Sequence, residues 1–200
     1  GSNNSAFGKN ALTANTTGIL NTAVGKDALE NNTTGGSNVA VGATALDANT
    51  TGSNNTVVGT DALTTNTTGG NNTAVGRRTL RFNTTATDNT ACGYQALEAN
   101  TTGAEQVAVG SASLDANTTG SVNTAIGYGA LSDNTTGSSN VAVGKSALGD
   151  NTTADNNTAI GRDALRLNTT GAENVSVGAY SLDANTTGSD LTAVGVNALG

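Results

Sequence analysis

The sequence predicts an all-β fold: a parallel β-solenoid in which one 17-residue repeat forms one coil and about twelve coils stack into a rod. Three observations carry this. A period of 17 runs from Gly1 to Gly200 without insertion or deletion, with eleven complete copies over residues 1–187 and a twelfth from Gly188. The 8 basic and 15 acidic side chains all fall in six of the seventeen slots. Each copy also holds a short alternating segment that runs into an invariant glycine, the pattern of a strand ending in a bend.

Numbered from its opening residue, the repeat reads G-x-x-N-[TV]-A-[VI]-G-x-x-A-L-x-x-N-T-T. In the second copy, slots 4 to 7 are Asn21-Thr22-Ala23-Val24. As a strand, this places Thr22 and Val24 on one face and Asn21 and Ala23 on the other. Slot 8 is glycine from Gly8 to Gly195, which permits a bend or a close backbone approach. A second short strand is expected through slots 11 and 12, Ala11-Leu12 in the first copy, with leucine in slot 12 of all twelve. Asn-Thr-Thr then closes every complete copy and, with the next glycine, makes the return turn. Seventeen residues are too few for a helix-pair repeat, and Gly, Asn and Thr are poor helix formers.

Stacked coils place each residue ~4.8 Å from its equivalents, so like side chains form ladders along a rod of roughly 55–60 Å. The six charged slots, 2, 3, 9, 10, 13 and 14, are those expected to face water. Residues 1–200 read as a single continuous repeat array with no linker or cap. Gly1-Ser2 keeps the register seen at Gly52-Ser53, which suggests an excerpt of a longer fibre.

Composition narrows the function. Gly, Asn and Thr (27, 28 and 36 residues) make nearly half the chain, with only 35% hydrophobic and 2% aromatic residues. That balance alone suits a disordered chain, but disorder gives no reason to sort charge by slot. With no histidine and one cysteine, neither a metal site, a cofactor nor a disulfide framework is expected. The net charge of -7 argues against nucleic acid. No apolar run approaches the ~18 residues of a membrane span. No carboxylate pair recurs in fixed geometry and no nucleophile–base pair is visible, so an enzyme is not expected. Cys92, in the apolar slot 7, reads as a small buried hydrophobe. Arg77, Arg78 and Arg81, beside Phe82, read as stacked on acidic slots such as Asp61 one coil earlier, or as a contact for an acidic partner.

One leucine and one valine per coil bury little apolar area against the entropy of ordering 17 residues. An oligomer is therefore expected. The small residues of slot 6, alanine in ten copies and Val57 and Ser176 in the others, are expected to line a tight interface between chains.

Ser37-Asn-Val-Ala-Val-Gly-Ala-Thr-Ala-Leu46 and Asn140-Val-Ala-Val-Gly-Lys-Ser-Ala147 resemble the head repeats of YadA-like trimeric autotransporter adhesins. With Asn-Thr-Thr-Gly included, the unit also resembles repeat arrays of bacteriophage tail fibres and bacterial surface fibres. The resemblance spans the whole chain. It implies a left-handed β-roll or β-helix, a homo-oligomer with the trimer favoured over a longer filament, and an extracellular place on a cell surface or virion. The implied function is a structural fibre of adhesin or tail-fibre type, a stiff shaft or head making shallow contacts with a host surface or glycan receptor. The repeat here is longer than in those adhesin heads, and the excess is assigned to the return loop. Val24-Gly25-Lys-Asp-Ala28-Leu29 is also similar to the hexapeptide of left-handed β-helix acyltransferases. Those enzymes stack three hexads per coil and use a histidine, whereas this chain has one hexad per repeat and no histidine.

Asn-Thr-Thr is an N-glycosylation sequon. It places candidate acceptors at Asn15, Asn32, Asn49, Asn66, Asn83, Asn100, Asn117, Asn134, Asn151, Asn168 and Asn185. The plainer reading is a turn with stacked Asn and Thr ladders, since glycans on successive coils would stand only ~5 Å apart. An ice-binding threonine array is the other alternative; it is weakened by Val39, Val107, Val141 and Val175, which interrupt the threonines of slot 5.

Overall fold

A computed structural model describes all 200 residues as one parallel β-solenoid. Twelve three-residue strands, from β1 (Ser5–Phe7) to β12 (Thr192–Val194), occupy slots 5 to 7 of successive copies. They form a single sheet in strict chain order, each strand parallel to its neighbours. Pairing is slot on slot: Thr22 lies against Val39, Ala23 against Ala40 and Val24 against Val41. Successive strands lie 17 residues apart, giving eleven turns of the solenoid, and there is no helix.

The sheet is a minor part of what holds the coils together. Of 130 backbone–backbone hydrogen bonds, 22 lie within strands, so the turns carry most of the ladder. In the second coil, Thr22, Leu29 and Thr33 donate N–H to the carbonyls of Asn38, Ala45 and Thr50 in the next coil, at 2.8, 3.1 and 2.9 Å. Gly25 and Asp27 donate backward to Phe7 and Lys9, both at 2.8 Å. Each inner coil is thus bonded on both sides around its perimeter, which satisfies backbone groups that a narrow interior would otherwise strand.

The interior is built from leucine and alanine. Ala23, Ala28 and Leu29, in slots 6, 11 and 12, are fully buried, and their equivalents continue the column through a cluster of 27 residues. Slot 6 therefore belongs to the chain's own core, not to an interface between chains. The predicted face-sharing holds, with Asn21 and Ala23 inside and Thr22 and Val24 outside. The valine counted towards the core stands on the outer face instead. A closed coil has one inner sheet face, and slots 4 and 6 occupy it, so slots 5 and 7 turn outward.

The second strand predicted at Ala11-Leu12 does not form. Slots 10 and 12 are left-handed, as in Asp27 (φ 57°) and Leu29 (φ 51°), and they turn the chain where a strand would extend it. That conformation costs an L-residue roughly 1–2 kcal/mol. Burying the whole leucine side chain contributes about 1.5–3 kcal/mol, enough to hold it there. Slot 8 needs glycine on two counts. Gly25 has φ 138°, and a Cβ on it would lie 2.3 Å from the carbonyl oxygen of Gly42 in the next coil.

Candidate functional site

Two asparagine ladders flank the core. In slot 15, Asn32 Nδ2 donates to Asn15 Oδ1 at 3.0 Å, and the pattern repeats coil by coil until Asn185 donates to Asn168. In slot 4, the backbone N–H of Asn38 donates to Asn21 Oδ1 at 3.0 Å. Both ladders converge on the opening residue of the following copy: the Gly35 carbonyl accepts Asn21 Nδ2 at 2.9 Å and Asn32 Nδ2 at 3.0 Å. Asparagine suits this because a short neutral amide is donor and acceptor at once. The sequence marked slot 15 as a sequon; the slot 4 ladder was missed, although ten asparagines in twelve copies were its signal.

The ladder decides how the candidate glycan acceptors are presented. The nine acceptors from Asn32 to Asn168 are fully buried, and Asn15 and Asn185, in the end coils, are half-buried. From Asn32 onward, each Nδ2 spends both of its hydrogens, one on the preceding asparagine and one on the opening carbonyl of the next copy. In the folded chain those nitrogens are buried with both hydrogens bonded, so a sugar on any of them would break the ladder. Thr33, in slot 16, donates its hydroxyl to the Thr50 carbonyl at 2.9 Å. Slot 17 threonines face solvent in all eleven copies.

The outer surface carries the remaining candidates. Slot 7 presents a column of β-branched side chains, with Val58 39%, Ile126 40% and Ile160 41% exposed. Cys92 lies in this column and is exposed, contrary to the expectation of a buried thiol, because slot 7 points outward throughout. Beyond the glycine bend, cations rest on aromatic rings of adjacent coils: Arg77 over Tyr94, Lys145 over Tyr128 and Arg162 over Tyr180, at 6.0, 5.9 and 5.4 Å. Arg78 Nη2 lies 2.7 Å from Glu98 Oε1, and Arg81 Nη1 lies 3.8 Å from the same oxygen. Glu98, one coil later, thus pairs with two of the three arginines, while Arg77 rests on Tyr94, and Asp61 instead accepts from Thr44 Oγ1 at 2.7 Å. The Arg78–Glu98 contact is an ion pair, not an aligned hydrogen bond, and the buried Arg78 Nε has no acceptor.

Burial raises the pKa of Asp47, with Glu30 and Asp27 adding repulsion. Asp115 is raised in the same way by burial, then by Asp133 and Glu98. Asp27 is lowered, chiefly by its hydrogen bond to Lys26, whose Nζ lies 2.6 Å from Asp27 Oδ2. No pocket opens on the surface, no three His, Cys, Asp or Glu side chains are grouped to hold a metal, and no helix is long and apolar enough to cross a membrane. Comparison with protein-family models, with curated proteins and with solved structures finds no match in any of the three.

Proposed function

We propose that this chain is a structural fibre segment of adhesin or tail-fibre type, extracellular, non-catalytic and assembled as a homo-oligomer with the trimer favoured. One observation supports this above the others. Glycine, leucine, asparagine and threonine in slots 8, 12, 15 and 16 serve the bend, the core and the ladders, while the six charged slots on the surface vary from coil to coil. From coil to coil the layer is held constant while the rim varies. Identical layers bonded on both sides give length and stiffness by simple repetition. The variable rim supplies shallow contacts to a host surface or glycan receptor. The likeness to adhesin heads and tail fibres points the same way.

Imaging of native cell surfaces or virions with an antibody against this array tests the reading. Label along elongated appendages with a ~4.8 Å axial repeat is the expected result. Label confined to dispersed compact particles would overturn it. The array produced in a glycosylating host is expected to keep its bare mass of 19.4 kDa. Added sugar mass would revive the glycan-bearing alternative.

A further inference from the structure

The fifth coil, residues 69–85, differs in charge from every other. It holds Arg77, Arg78 and Arg81 and no acid, whereas the other eleven coils share 5 basic and all 15 acidic side chains. On a chain of net charge -7 it is the one strongly basic place. The three arginines follow the glycine bend in slots 9, 10 and 13, with Phe82 beside them in slot 14.

The arginines are held in two ways. Arg78 is committed to the buried Glu98, whose second oxygen accepts from Gln95 Nε2 at 2.5 Å. Arg77 and Arg81 instead lie over rings, Tyr94 at 6.0 Å and Phe82 at 5.0 Å. Arg77 makes no ion pair, and Arg81 makes only the long one to Glu98 at 3.8 Å. A guanidinium stacked on a ring is held by the ring face, and its in-plane N–H donors stay unspent. Such a head loses less freedom when an anion arrives. Tyr94 and Phe82 are themselves 44% and 43% exposed. The patch therefore offers two preset forks beside open ring surface.

We infer that this patch binds an acidic saccharide, with carboxylate or sulfate groups on Arg77 and Arg81 and sugar C–H faces on Tyr94 and Phe82. The inference rests on the receptor-contacting fibre proposed above, and it names the receptor class and the docking place. Planar guanidinium forks match paired anionic oxygens, and the rings supply amphipathic surface for a sugar ring to cover. Other acids fit less well. No pocket encloses a small free ion, so the ligand must lie across the surface. An acidic peptide seeks unpaired backbone at a sheet edge. Here the fifth coil is already bonded on both sides: Arg78 N–H donates to Thr60 and Phe82 N–H to Glu98, both at 3.0 Å. A nucleic acid carries charge at every residue and would run onto the acidic coils that follow, with Asp88, Glu98, Glu105 and Asp115 and no base. A saccharide spaces its acids more widely and escapes that repulsion.

Calorimetric titration of the 200-residue chain tests this with four short probes: a galacturonate oligomer, a lightly sulfated dextran, neutral dextran and a thymidylate oligomer. Both acidic sugars are expected to bind, more weakly as salt is added, and neutral dextran is not. The tighter of the two names the acid that the patch prefers. Arg77→Ala with Arg81→Ala is expected to lower the affinity roughly tenfold or more, with circular dichroism unchanged because Arg78 still holds Glu98. Arg77→Glu, at an exposed side chain without an ion pair, is expected to lower it by itself. Lys145 and Arg162 also lie over tyrosines but stand as single cations, so Lys145→Ala with Arg162→Ala is expected to leave binding unchanged. Failure of both acidic sugars to bind overturns this inference and leaves the fibre reading, which imaging tests, standing. Equal losses from the two alanine pairs overturn the place. Thymidylate bound as tightly as the sugars overturns the saccharide class.

Discussion

Gln106 and Asn123 are the one pair of adjacent coils across which the slot 4 ladder is broken. Gln106 donates Nε2 to the Gly120 carbonyl at 2.6 Å, but its Oε1 is buried without a partner. Elsewhere in the column each backbone N–H reaches the preceding asparagine oxygen, as Asn140 does to Asn123 at 2.9 Å. The extra methylene of glutamine carries its oxygen past the Asn123 amide. Gln106→Asn is therefore expected to stabilise the array by about 1 kcal/mol, seen as a higher midpoint in chemical denaturation.

Asn100 tests the ladder from the other side. It donates to Asn83 Oδ1 and the Gly103 carbonyl at 3.0 and 2.9 Å and accepts from Asn117 at 3.0 Å. Asn100→Ala is expected to cost roughly 2–4 kcal/mol, because partners are left unsatisfied in a dry interior. Thr102→Ala removes the same sequon at an exposed side chain and is expected to change stability by less than about 0.5 kcal/mol. Equal losses from the two variants would contradict the ladder.

Gly110 has φ 135°, and a Cβ there would lie 2.4 Å from the Gly127 carbonyl. Gly110→Ala combines backbone strain with overpacking, each costing about 1–3 kcal/mol. Coils have only nearest neighbours, so hydrogen exchange should accelerate first in the coils on either side of residue 110.

Val122 is a β-branched residue held at φ 61° with its side chain 53% exposed. Asparagine occupies the same slot in four copies, including Asn54 at φ 62°. Val122→Asn is expected to stabilise by about 0.5–1 kcal/mol, since little burial is lost and a left-handed turn suits asparagine.

Asp115 holds its proton more tightly in the folded chain than in the unfolded one. The folded state then binds more protons across the carboxylate range, so this group's contribution to stability rises as pH falls through it. Asp47 acts in the same sense, and Asp27, whose pKa is lowered, acts in the opposite one. Asp115→Asn is expected to stabilise the chain at pH 7 by less than about 1 kcal/mol, the side chain being part-exposed. The gain should vanish in denaturation series taken down to about pH 3.

The layer was legible in the sequence because repetition is itself a physical constraint. Seventeen residues per rung, slot-on-slot pairing and the outward placement of charge all follow when equivalent residues must stack; Glu98, buried beside Arg78, is the exception. The alternation of Asn21, Thr22, Ala23 and Val24 likewise told which side chains share a face. It did not tell which face is inside. Counting apolar residues chose Val24, but the enclosed space is filled by Ala23 and Leu29 and walled by asparagines that bond to one another.

What the sequence by itself determined was the period, the strand in each coil, the glycine bend and the sorting of charge. Tertiary structure decided that Cys92 and the slot 7 valines face out, that Leu29 sits in a left-handed turn, and that Asn32 is buried. The reason is closure. A strand pattern is local, whereas inside and outside exist only once the chain has wound round to meet its own next coil. There a buried amide with every hydrogen bonded outcompetes a larger apolar side chain for the narrow space.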